Sequence, residues 1–361
     1  MSHSVVQKID GYPQSGLSLF WALFSGVCRP GEIWDNTKFR LKFLLRTLIN
    51  PAVTLRYLQC VATDSQLRHA ALAQNTLPAK IHRPYLFAAL PVAARARAIL
   101  EHYTFVKTLS CLPLLQALTV PAATRLCVLD GKNGEQLEIK LSMSRFEREW
   151  EATLTIHGDK GRLASLTFSI VRYQEKQTLF IGGLQGASRN TSHNVIKEAT
   201  KACHGLFPKR LLVEMIQLIN GDIKAQQIIA VGDKSHVFQS ARYRSSKQNV
   251  FFAHYDEFWA SVEGLPMAGG LYALPQRITR KAMDELPSKK RAEYRRRYAL
   301  LEDMRTQFDA FIHSQSGMKA PARTPQMCDW QVDSESLFCR ALKAKAASAR
   351  WRRPAAPVPS L

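Results

Sequence analysis

The stretch Thr178-Leu179-Phe180-Ile181-Gly182-Gly183-Leu184-Gln185-Gly186-Ala187-Ser188-Arg189-Asn190-Thr191-Ser192 decides the fold of this 361-residue chain. Thr178 to Ile181 is apolar and β-prone, and predicts a strand. Three glycines follow, where the backbone can turn sharply and approach a ligand closely. A polar loop, Gln185 to Ser192, then leads into a predicted helix reaching about Cys203. A helix start presents free N–H groups and the positive end of the dipole, which suit a phosphate. Gly183, Gln185, Gly186, Arg189, Thr191 and Ser192 are therefore the candidate binding residues, and Thr191, Ser192 or Asn194 the candidate cap. The same residues also read as a plain strand-to-helix turn. Their spacing fits neither the Walker loop nor the dinucleotide fingerprint.

Upstream of this stretch the hydrophobic period is two. Leu137, Ile139 and Leu141 alternate with polar residues, as do Trp150, Ala152, Leu154 and Ile156, and then Leu166, Phe168 and Ile170. Each run predicts a half-buried strand, with hairpin turns at Gly131–Gly134 and Gly158–Gly161. This is an antiparallel meander. Before about residue 120 the period is helical: Leu41, Leu44, Leu45 and Leu48 share a face that ends at Pro51, and Val92, Ala96, Ile99, Tyr103 and Val106 form another.

Downstream, a helix is predicted over Lys209 to Ile219 and a short buried strand over Ile228 to Val231. His204-Gly205 reads as a helix end or a titrating group. Lys209 and Arg210 stand at a helix start, where the dipole disfavours cations; they mark an anion grip or an ion pair formed elsewhere. After the buried strand come Asp233, His236, Tyr243, His254, Tyr255 and Trp259. His236 or His254 is the candidate general base and Tyr243 the candidate acid; the alternative is that His254 and Tyr255 pack in an edge strand from Asn249. Residues 288–308 are helical and very basic, and the tail from about 340 has a disordered composition. The expected organisation is a helical N-terminal region (1–120), a mixed sheet and helix core domain (121–275), a basic helical segment (276–310) and an extension with a largely disordered tail (311–361). The fold class is α+β.

Lys and Arg number 50 against 29 acids, for a net charge of +21. Such a field attracts phosphorylated small molecules, anionic surfaces or nucleic acid. With 46 % hydrophobic and 22 % charged residues, most of the chain can fold around a core. Seven cysteines are scattered without a C-x-x-C pair, so neither a zinc site nor a disulfide framework is expected, and a reducing compartment fits. Metal ligands are not expected, and no zincin or G-x-S-x-G motif is present. The apolar run Ser15–Cys28 lacks a basic leader and a good cleavage site, and no run reaches the roughly 18 apolar residues of a spanning helix. The expectation is neither export by a signal peptide nor integral membrane insertion.

His102-Tyr103, Ile181 to Gly186, Ala199 to Lys209 with His204-Gly205-Leu206, Ile229-Ala230-Val231 followed by His236, and Tyr255-Asp256 with Phe258-Trp259 occur in one order. In that order and spacing the chain resembles the VirK/YbjX family over about residues 30–305. The resemblance implies a cytoplasmic protein of Gram-negative bacteria, in a family associated with virulence, envelope properties and resistance to antimicrobial peptides. It supplies no catalytic residues. The order of antiparallel strands, strand, glycine loop, helix and buried strand is in turn similar to the GCN5-related acyltransferase fold. That likeness implies acyl-CoA as cofactor, cradled by Gln185 to Ser192, with His236, Tyr243 or His254 moving the proton. The loop departs from that fold's Gln/Arg-x-x-Gly-x-Gly/Ala pattern. The competing readings are a non-enzymatic basic protein that binds nucleic acid or anionic lipid, and a protein adaptor.

Overall fold

Periodicity two and periodicity 3.6 alternate along the chain, and each gives the element it dictates. The structure, a computed structural model, describes residues 11–88, 90–144, 150–188, 191–240, 243 and 254–314. The chain divides into two units, with the boundary between Arg83 and Pro84.

The first unit is helical: α1 (Gly16–Ser25), α2 (Thr37–Ile49), α3 (Pro51–Thr63) and α4 (Ser65–Ala73). Asn36 caps α2 and Asp64 caps α4, each accepting backbone N–H groups of the first turn. Pro51 ends α2 and opens α3, because it has no N–H to donate and its φ is already helical. Gly16 lets α1 lie directly on α3; a Cβ there would strike the Leu55 carbonyl. Trp34 and Phe43 meet edge to face at 5.3 Å, and the Trp34 indole donates to the Asn75 carbonyl at 2.6 Å. Cys60, at the heart of this unit, is disulfide-bonded. This corrects the expectation of isolated thiols, which rested only on the absence of a C-x-x-C pair.

The second unit runs α5 (Val92–Lys107), α6 (Leu112–Thr119), β1 (Thr124–Asp130), β2 (Gln136–Met143), β3 (Ala152–Gly158), β4 (Gly161–Tyr173), β5 (Lys176–Gly186), α7 (His193–Ala202), α8 (Pro208–Ile223), β6 (Gln227–Val231), α9 (Tyr255–Ser261), β7 (Leu265–Met267), β8 (Leu271–Leu274) and α10 (Ser288–His313). The eight strands form one sheet in the order β1-β2-β3-β4-β5-β6-β8-β7. Every neighbouring pair is antiparallel except β5 and β6, which run parallel with α7 and α8 between them in the chain. The inward residues of the strands (Ile139, Leu154, Leu166, Ile170 and Ile181 among them) join Leu212, Met215 and Ile216 of α8 and Leu301, Met304 and Phe308 of α10 in one core.

Helices also close exposed strand backbone. Gln307 of α10 receives the Val128 N–H at 2.8 Å and donates to the Val128 carbonyl at 2.7 Å, which blunts the β1 edge. β3 begins only at Ala152, opposite Phe168, so beyond that point β4 keeps β5 but has no strand on its other edge. There α5 takes over: His102 Nδ1 accepts from Ile170 N–H at 3.1 Å, and Glu101 accepts from Arg172 N–H at 2.8 Å. Among the described residues no helix is long and apolar enough to cross a membrane.

Candidate functional site

The glycine stretch behaves differently from a simple loop. β5 continues through Gly182 and Gly183 to Gly186. The pairing with β4 skips one residue, since Phe168 faces Ile181 while Thr167 faces Gly183, and Gly182 is the extra residue of a bulge. Its missing side chain makes room for Trp150, because a Cβ would fall inside the indole ring. Trp150 in turn stacks on Phe180 at 5.3 Å.

Just there β5 loses β6. The parallel pairing covers Thr178 to Ile181 against Gln227 to Ala230 and then stops. The Leu184 N–H, on the edge that β6 has left, donates to Tyr255 Oη at 3.1 Å. Amide directions alternate along a strand, so the Gly186 N–H lies on that same edge. Lys209, in the first turn of α8, brings its Cε to 3.8 Å from where a Gly186 Cβ would be. Lys209 is half-buried, its Nζ lies 6.0 Å from the centre of the Phe258 ring, and burial lowers its pKa. Among the described residues no carboxylate pairs with it. Its neighbour Arg210 does pair, with Glu214 at 3.0 Å. Of the two cations at this helix start, then, Arg210 follows the ion-pair reading, and Lys209 keeps a charge at the end of β5.

The end of β6 fixes the residues that meet this edge. Asp233 accepts the Tyr255 N–H at 2.9 Å, and Asp256 accepts the Asp233 N–H at 2.9 Å, a reciprocal cap that fixes the start of α9. The Trp259 indole donates to the Val231 carbonyl at 2.8 Å. The rings of His236, Tyr255 and Trp259 then lie in a stack, with centroid spacings of 5.4 and 6.2 Å. Tyr255 thus opens a helix and does not sit in an edge strand, and its hydroxyl faces the parted strands.

His236 is buried, caps a short 3-10 turn through Nδ1, and has its pKa pushed down to about 3 by burial. Its imidazole is neutral at pH 7. Tyr243 is buried and meets Phe238 edge to face at 6.1 Å, and Phe238 meets His236 at 4.8 Å. His254 is exposed at the N-cap of α9. Gly183 is buried in the strand, while Gln185 and Gly186 are half-buried at its end. Ser192 is the cap of α7, accepting the Asn194 N–H at 3.3 Å, and the Thr191 N–H turns back to Ser188. Arg189 lies outside the described residues. His204, with φ of 53°, and Gly205, with φ of 85°, terminate α7, and Arg297 donates to the His204 carbonyl. That is the helix-end reading of this pair.

Two features escape a sequence reading. Glu151 is fully buried with both carboxylate oxygens accepting tyrosine hydroxyls, from Tyr85 at 2.9 Å and Tyr103 at 2.8 Å, and its N–H donates to Ser169. Its partners lie 66 and 48 residues away, so no local pattern announces them. A pocket of about 660 Å³ between α8, α10 and residues 276–280 contains none of the candidate residues. The polar groups of Leu184, Lys209 and Tyr255 converge instead where β5 and β6 part.

Residues 32–310 match the family described as "Protein of unknown function (DUF535)". A protein of Escherichia coli (strain K12), called "Uncharacterized protein YbjX", is 41 % identical over 295 residues, which is 81 % of this chain and 89 % of its own length. An "Uncharacterized protein" of Haemophilus influenzae is 28 % identical over 170 residues, 47 % of this chain and 56 % of its own. A second from that organism is 32 % identical over 126 residues, 35 % of this chain and 41 % of its own.

Proposed function

The chain belongs to the DUF535 family, the VirK/YbjX family of its Gram-negative relatives, and on the geometry of its sheet we propose that it is an acyltransferase whose acyl-CoA donor enters between β5 and β6. The observation that carries the reading is the parting of the one parallel strand pair at a glycine bulge, with the Leu184 amide turned to a tyrosine hydroxyl. The sheet is consistent with it: antiparallel strands lead to a strand that ends in glycines, helices follow, and a buried strand then pairs parallel to it, the order that the likeness to GCN5-related acyltransferases rests on.

When bound, acyl-CoA would supply a thioester. The chain's residues suit such a group in three respects. Lys209 offers an unpaired cation for a phosphate at the end of β5. The backbone of Gln185 and Gly186, with Thr191 and Ser192 beyond, offers amide edges and the start of α7. Tyr255 Oη holds a proton beside the bulge, where a leaving group would need one. His236, neutral and stacked on Tyr255, positions that ring. His254 is the exposed basic side chain next to it and remains the proposed proton acceptor, with Tyr243 a supporting residue in the His236 cluster. The proposed compartment is the cytoplasm, which suits the four free thiols of the described residues; the Cys60 disulfide is the feature that stands against it.

Isothermal titration with CoA and an acyl-CoA tests the reading. Binding in the micromolar range is expected, and Lys209→Ala should weaken it roughly tenfold, the loss of one charge-assisted contact. The absence of heat at high micromolar ligand contradicts the reading.

A further inference from the structure

The helical unit carries a surface that its own fold does not explain. An amphipathic helix normally turns its apolar stripe to the core. α2 buries only Phe43 and Thr47. Leu41, Leu45, Leu48 and Ile49 are exposed, at 50, 53, 65 and 75 % of their full accessibility. Their spacing of four, three and one places them on one side of the helix. Leu17 and Trp21, one turn apart on α1, are exposed at 56 and 54 %. α1 and α2 are fastened together through Phe20 on Phe43 at 5.6 Å and through Arg40, which donates to the Ser25 carbonyl at 2.6 Å. Single exposed leucines are ordinary on any surface, but six large apolar side chains on two packed helices are not.

The charge on these two helices has one sign, and the exposed acid just ahead of α2, Asp35, is paired with Arg29. α1 has no charged residue, and α2 carries Lys38, Arg40, Lys42 and Arg46 with no acid. Lys38 and Lys42 lie on the exposed side with the leucines, and among the described residues neither pairs with a carboxylate. An apolar stripe flanked by unpaired lysines, with a tryptophan on the adjoining helix, has the chemistry of a helix lying in the headgroup layer. A soluble helical partner would need acids to match the lysines; an anionic bilayer supplies both the apolar depth and the negative charge.

We propose that the exposed face of α1 and α2 docks on the surface of a membrane rich in anionic lipid, without crossing it. The proposal is independent of the acyl-CoA reading, since it concerns a different unit and a different ligand.

Co-sedimentation of the full chain with vesicles tests it, using phosphatidylcholine alone and vesicles with about a third phosphatidylglycerol. Binding is expected to the anionic vesicles only, and to weaken as salt rises. Leu45→Glu with Leu48→Glu should reduce it at least roughly tenfold, and Lys38→Glu with Lys42→Glu should do likewise, since 1.4 kcal/mol is a factor of ten. All four positions are exposed, so thermal unfolding should be unchanged and serves as the control for folding. Quenching of tryptophan fluorescence by brominated lipid, lost in Trp21→Ala, gives a second readout. Equal binding to both vesicle types, no binding to either, or binding unchanged in both double variants each overturns the proposal. So does a dimer that Leu45→Glu turns into a monomer, which would make the face a contact between copies of the chain.

Discussion

The two halves of β5 have the same backbone and different fates. From Thr178 to Ile181 the strand lies between β4 and β6 and is sealed on both edges. From Gly182 to Gly186 it keeps only β4, and the freed edge turns to Tyr255 and to the neighbourhood of Lys209. The difference teaches where function is placed in such a sheet. A strand interior stabilises; a strand that outlasts its partner exposes amides that a ligand or a side chain must satisfy.

Substitutions can sharpen that contrast. The largest effect is expected at Gly182, where any side chain must displace the Trp150 indole. Gly182→Val should cost about 3 kcal/mol or more in chemical denaturation, the scale of severe overpacking. A variant as stable as the parent would show that Trp150 does not occupy that space.

Next comes acid sensitivity. The His236 imidazole takes up a proton near pH 6.5 when unfolded but only near 3 when folded. The unfolded chain therefore binds the extra proton between those values, and stability falls as pH drops through that window. By pH 5 the loss from this one residue is about 2 kcal/mol. Denaturation midpoints measured from pH 7 to 5 should fall less steeply in His236→Phe, and parallel slopes would count against the buried imidazole.

A smaller effect belongs to Tyr255. Tyr255→Phe leaves the Leu184 N–H without its acceptor and should cost about 1 to 1.5 kcal/mol. Gly186→Ala should be the quietest, within about 0.5 kcal/mol, because the nearest atom to the new methyl is the flexible Lys209 Cε at 3.8 Å. If Gly186→Ala proved as damaging as Gly182→Val, the open end of β5 would be packed like the closed one.

Much of this layout can be read from residues in order. The alternation at Leu137 to Leu141, Leu154 to Ile156 and Leu166 to Ile170 specifies strands, since a period of two permits only one buried face. The run at Ile228 to Val231 and the helices at Thr37 and Val92 follow equally from local pattern. What stayed hidden depends on distant partners. Glycines predict a loop, yet Gly182 and Gly183 stay in the strand because Trp150, remote in sequence, claims the space above the bulge. An edge strand is one of the two readings open for Tyr255, yet Asp233, 22 residues away, caps it into a helix. Lys209 and Arg210 are neighbours with the same charge, and only Glu214 separates their roles.

The most direct measurement is a titration of isotopically labelled protein with acyl-CoA, followed at its backbone amide resonances. Leu184 and Gly186, with the first turns of α7 and α8, should shift together while Leu179 and Phe180 on the sealed half of β5 stay in place. Shifts confined to the pocket between α8 and α10, or no shifts at all, would contradict the acyl-CoA reading.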